Sequence, residues 1–102
     1  MIRVNGEDWR VLLVSSNHPA VQRPDGSFTL GCCDDNMKTI YIVEGLTDFY
    51  FKKVLSHELV HACMYSYNID LDNYQEEVLA DLIATYGQEI IFTANSIFCR
   101  LR

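Results

Sequence analysis

Residues 9–14, Trp-Arg-Val-Leu-Leu-Val, are apolar and β-branched without clean alternation, which predicts a strand in the interior of a sheet. Residues 15–24 are polar and broken by Pro19 and Pro24, so the strand runs into a loop. Pro24-Asp25-Gly26-Ser27 is a turn signal, because proline presets one dihedral and glycine accepts a positive one. Residues 27–33 predict a second strand, Asp34-Asp35-Asn36 a turn, and residues 38–43 a third strand. In the third, Ile40 and Ile42 share one face and Thr39, Tyr41 and Val43 the other. The short polar connection makes the last two strands a hairpin.

The period then changes. Thr47 is a helix N-cap and Asp48 complements the helix dipole. The predicted helix covers residues 48–67, with Leu55, Leu59 and Ala62 as one apolar stripe and Val54, His57, His61 and Met64 as its neighbour. Residues 68–72 are a polar linker. Asn73 followed by Glu76 resembles a capping box, and a second helix over 74–86 puts Val78, Leu79, Leu82, Ile83 and Tyr86 on its core side. Helical spacing resumes through Ile90, Ile91, Ala94, Ile97, Phe98 and Leu101, giving either one long helix with a soft point at Gly87 or two stacked helices. Strands followed by helices predict an α+β fold. The expected architecture is a small antiparallel sheet of about three strands packed on one central helix and one or two more, in a single domain over 1–102.

Composition narrows the function. The 102 residues, about half of them hydrophobic, suffice for one core without disulfide staples. No apolar run reaches the ~20 residues that span a bilayer, and the first residues lack the apolar centre of a signal peptide, so a cytoplasmic protein with no membrane partner is expected. Cys32, Cys33, Cys63 and Cys99 form no Cys-x-x-Cys pair and are expected to be reduced thiols. Acidic residues outnumber basic ones 14 to 8, and Lys52-Lys53 is the only basic pair before the tail, which argues against a nucleic-acid partner.

The chemistry concentrates in His57-Glu58-Leu59-Val60-His61. Residues four apart on a helix stand on one face, so both imidazoles can reach a single ion, while Glu58 stands beside them to hold a water on it. This is the pattern of a zinc metalloprotease, and shuffling this composition produces it in roughly one sequence in two hundred. A catalytic zinc takes three protein ligands and keeps one position open. Glu77 on the second helix is the expected third ligand, for one zinc per chain. Asp81, one turn on, is positioned to accept the other N–H of a ligand histidine. Glu76, about 100° round the helix from Glu77, is assigned to the helix cap.

His-Glu-x-x-His followed by Glu-x-x-x-Asp on the next helix resembles the gluzincins, the thermolysin-like zinc peptidases. The run Glu77-Val78-Leu79-Ala80-Asp81 is similar to the Glu-x-x-Ala-Asn/Asp signature of the small ImmA/IrrE-type peptidases of phages and mobile elements. The resemblance spans residues 28–86, with residues 39–43 similar to the sheet edge along the family's active-site cleft. The chain is shorter than most members, carries no DNA-binding domain, and has Val60 where a glycine is usual. The resemblance implies Glu77 as ligand and Asp81 as the hydrogen-bond partner of the first histidine.

The expected activity is zinc-dependent endopeptidase: peptide-bond hydrolysis through a metal-bound water with Glu58 as general base. His18, Tyr41, Tyr65, Tyr67 and Tyr74 are candidate oxyanion donors. The expected partner is a protein or peptide substrate bound along a sheet edge. The competing reading is a catalytically silent binding module on the same fold.

Overall fold

The computed structural model describes residues 1–102. Four strands, β1 (Ile2–Val4), β2 (Glu7–Val14), β3 (Gly31–Asp34) and β4 (Thr39–Val43), precede two helices, α1 (Asp48–Ser66) and α2 (Asn73–Leu101). The fold is α+β, as expected.

The sheet differs from expectation in one respect that matters for the site. Its order is β1-β2-β4-β3, with β2 and β4 parallel and the other two pairs antiparallel. After β2 the chain passes through a 3-10 turn, Pro19–Val21, and enters β3 at the far edge. The β3–β4 hairpin then folds back into the gap, so β4 runs alongside β2 in the same direction, from Arg10 opposite Thr39 to Val14 opposite Val43. The sheet is mixed, and β3 is left as an edge. β1 is an addition to the expected strands. Asn5 and Gly6 both have positive φ, 48° and 78°, the conformation of a two-residue hairpin turn into β2. β1 pairs only with Glu7, Asp8 and Trp9 and β4 only from Arg10 onward, so β2 is nowhere flanked on both sides as an interior strand would be, and Leu12 and Leu13 remain exposed.

Alternation sorts the side chains as predicted. Ile40 and Ile42 join Trp9 and Ala62 under α1, with Leu55 and Leu59 packed against them. Val14, Val21 and Val43 form a second cluster on the opposite face, with Cys32 and Tyr41 at its side. The Trp9 indole donates to Ser66 Oγ at 2.8 Å, and the Asn5 amide donates to the Ser66 carbonyl at 2.9 Å. These bonds tie the last turn of α1 to the first hairpin.

Thr47 caps α1, accepting from the Tyr50 N–H. The cap of α2 is Asp72 rather than Asn73, in a reciprocal capping box with Gln75. That one-residue shift frees Glu76. α2 packs through Ala80, its fully buried residue, against Val60 and Met64, while Val78, Leu82, Ile83 and Tyr86 are exposed instead of forming the core side. Small side chains let α2 lie close on α1, in antiparallel sense: His61 meets Glu76 and Glu77, whereas His57, one turn earlier, meets Asp81. α2 continues through Gly87 as one helix.

Burial separates the thiols. Cys33 lies under the α1 side of the sheet, and its pKa is pushed up from 9.0 to about 12, first by loss of solvent and then by the Glu58 charge. The folded chain therefore holds this proton more tightly than the unfolded one. The stability it contributes is complete below about pH 9 and is lost as pH rises through about 12. In reducing-agent-free buffer at mildly alkaline pH, a chromogenic disulfide reagent should titrate the exposed Cys99 quickly and Cys33 only after denaturant is added. Rapid labelling of Cys33 in the native protein would contradict this burial.

Candidate metal centre

Four-residue spacing on α1 puts His57 and His61 side by side, with their Nε2 atoms 3.2 Å apart. Glu77 reaches both from α2: Oε2 lies 3.1 Å from His57 Nε2, and Oε1 lies 3.1 Å from His61 Nε2. The outer ring nitrogens are engaged too. His57 Nδ1 is 3.0 Å from an Asp81 carboxylate oxygen, and His61 Nδ1 is held by Glu76. An ionised carboxylate only accepts, so a hydrogen on each Nδ1 satisfies Asp81 and Glu76; with the rings neutral, each Nε2 then presents its lone pair to Glu77.

In that state the two Nε2 atoms and the two Glu77 oxygens converge with no protein donor between them. A cation at their centre, or added protons, is what offsets their mutual repulsion. Zinc with bonds of ~2.0–2.1 Å at tetrahedral angles sets its ligand atoms roughly 3.3 Å apart, close to the spacings here. His57, His61 and Glu77 are accordingly the group that could hold a metal, their ligand atoms all within 4.8 Å of one another. Two imidazoles and one carboxylate suit zinc, and three ligands leave a fourth position open.

Glu58 is buried, 8% exposed, beside this group. Loss of solvent pushes its pKa up, the His57 and His61 charges pull it down, and Glu77 pushes it up again. What brings the sheet against it is Gly31, at the start of β3. A methyl group there would stand 2.6 Å from Val54 Cγ1 and 3.1 Å from both Glu58 Cγ and Glu58 Oε2. The missing side chain lets the strand backbone lie on α1 next to the carboxylate. β3 also faces outward. The Val43 N–H donates to Leu30 O at 3.0 Å, and antiparallel pairing alternates, so Gly31 and Cys33 turn their backbone groups away from β4 toward the open edge. A cleft of about 350 Å³ opens there, with His57, Glu58 and Asp81 in its wall and Phe28, Tyr50 and Val54 among its apolar lining.

The candidate oxyanion donors separate by position. His18 accepts from the Ala20 N–H at 3.0 Å and packs on Tyr41, ring centroids 5.2 Å apart. Tyr41 belongs to the sheet face away from α1, so neither residue reaches the metal group. Tyr67 caps the end of α1, and Tyr74 is exposed in the first turn of α2. Tyr65 stacks on Trp9 one turn beyond His61; its pKa is raised by burial and by the charges of Cys33 and Glu76. Sequence reasoning missed Tyr50, whose signal was its spacing: seven residues before His57, two turns along the same face. It also misassigned Glu76, which the cap at Asp72 leaves free to hold His61.

Comparison with protein-family models, with characterised proteins and with solved structures gave no match.

Two outcomes follow from this geometry. In competition with a chromophoric chelator, Glu77→Gln should lose most zinc affinity, while Glu76→Gln and Asp81→Asn should each weaken it by about 10–100-fold through the histidine they orient. Wild-type affinity in Glu76→Gln would deny that role. Gly31→Ala should cost about 1–3 kcal/mol in denaturant unfolding, because the added methyl meets Val54 and Glu58 in packed surroundings. An unchanged unfolding midpoint would show that the strand can move off the helix without cost.

Proposed function

We propose that this chain is a zinc-dependent endopeptidase, a minimal relative in kind of the gluzincins its motif resembles. One observation carries the reading: two imidazoles and one carboxylate converge with contacts of 3.1–3.2 Å and an open side, beside a carboxylate that is buried but lines a cleft. A structural zinc site is closed by four ligands. The open side and the adjacent Glu58 are what hydrolysis requires, and they favour an enzyme over a silent binding module.

Bound zinc supplies Lewis acidity to water and to the scissile carbonyl. Glu58 accepts the proton that water loses as it attacks, and delivers it to the departing nitrogen. Asp81 and Glu76 hold the two imidazoles in the tautomer that presents Nε2. An extended peptide laid along β3 would pair with the outward backbone groups of Gly31 and Cys33, displacing the Thr29 hydroxyl that donates to the Gly31 carbonyl at 3.2 Å, and this sets its chain beside Glu58. Tyr50, in the cleft lining, is the hydroxyl placed to serve the oxyanion.

The test uses a peptide library read by mass spectrometry. The zinc-loaded protein should cut within extended peptides. Glu58→Gln should retain one zinc per chain and lose about a hundredfold or more in rate, and His57→Ala should lose both zinc and cleavage. Near wild-type cleavage by Glu58→Gln would sink the assignment of the base. Protein purified without chelator and free of zinc would sink the reading itself.

A further inference from the structure

α2 is longer than anything it packs against. Its 29 residues extend about 43 Å at 1.5 Å per residue, against 19 residues in α1. Phe49 at the start of α1 lies level with Gln88, and every residue of α2 after Gly87 is exposed except the half-buried Ser96. The overhang is not polar. At 100° per residue, Ile83, Gly87, Ile90, Ile91, Ala94, Ile97, Phe98 and Leu101 all fall within about 60° of Ala94, one continuous apolar stripe. Ile90 is 54% exposed, Ile91 62%, Phe98 58% and Leu101 81%. With Tyr86 on its margin the stripe leaves roughly 700 Å² accessible, close to the ~800 Å² each partner gives a standard interface and above the patch a monomer usually tolerates. Through Ile83 it runs into an apolar groove between the helices, lined by Leu59, Cys63, Met64 and Leu79.

We propose that this stripe is a homodimer interface, in which the projecting halves of α2 from two copies pair antiparallel about a two-fold axis at Ala94. The self-complementarity of the stripe carries the choice of a second copy. With Ala94 on the axis, residues whose numbers add to 188 lie opposite each other. Leu101 then covers Gly87, Phe98 meets Ile90, and Ile97 meets Ile91, so large residues oppose small ones at the ends and Ala94 opposes itself where the backbones come closest. Glu89 and Arg100 point about 120–140° away from Ala94, so the contact itself carries no charged side chain. A parallel pair would crowd the two bodies together, whereas the antiparallel pair sets them at opposite ends.

Sedimentation equilibrium of the full chain in reducing buffer tests this. Wild type should sediment at twice its 11.8 kDa at tens of micromolar protein. Ile90→Lys should be a monomer with unchanged helix content and zinc stoichiometry, since residue 90 lies past the level of Phe49, where α1 begins. With Cys99→Ser in the background, nitroxides attached through Arg102→Cys should lie more than about 20 Å apart between copies, since each is eight residues from the axis. A wild-type monomer would overturn the proposal and leave the stripe to another protein or to further chain. A dimer indifferent to Ile90→Lys would place the interface elsewhere, and nitroxides only about 10 Å apart would overturn the antiparallel register.

Discussion

Two imidazoles and a carboxylate held together with contacts of 3.1–3.2 Å form an arrangement that needs a cation or added protons at its centre. Much of the fold serves to hold it. α1 has no single apolar stripe because it is committed on two sides, with Ala62 and Leu59 toward the sheet and Val60 and Met64 toward α2, and the histidines lie at the junction. α2 approaches closely because Ala80 is small and fully buried. Its first turns then deliver carboxylates to both nitrogens of both imidazole rings. Burying polar groups so near a core is tolerable only when each has a partner, and no buried side-chain polar atom here lacks one.

The sheet contributes an edge and a gap. Inserting β4 between β2 and β3 makes one parallel pair and leaves β3 outermost. A glycine at its first residue brings that edge into contact with Glu58. The same geometry that buries the carboxylate against the strand leaves the strand's own hydrogen-bonding groups facing the cleft. Burial raises the pKa of Glu58 while the imidazoles lower it, so its proton affinity depends on the charge at the neighbouring group.

The second half of α2 obeys a different logic. Its stripe is as regular as that of any buried helix, yet it finds no surface within its own chain. Hydrophobic area of this extent is seldom left in water. Its match to its own reverse makes a second copy the partner that requires no further assumption about shape. Pairing there would leave both metal groups at the outer ends, facing solvent, and would cover none of the cleft.

Much of this was legible in the residues. Period alone separated the strands from the helices. Alternation in β4 assigned Ile40 and Ile42 to the core face. His57, Glu58 and His61 follow from helical geometry once the helix is granted, and Glu77 and Asp81 lie where spacing on the next helix puts them. These features are local: each depends on residues within one or two turns of one another, where sequence separation and distance are tied by the backbone. The rest was decided by how distant segments meet. Strand order required knowing that a long connection carries the chain past the place β4 later fills. The role of Glu76 depended on whether Asp72 or Asn73 begins the helix, a choice between two good caps that tertiary contact with His61 distinguishes energetically. His18 and Tyr41 carry catalytic side chains, but only the packed sheet shows them on the face turned away from α1. Gly31 gives no sign in sequence that its missing methyl is the space Val54 and Glu58 occupy, because that constraint exists only when strand and helix are already together.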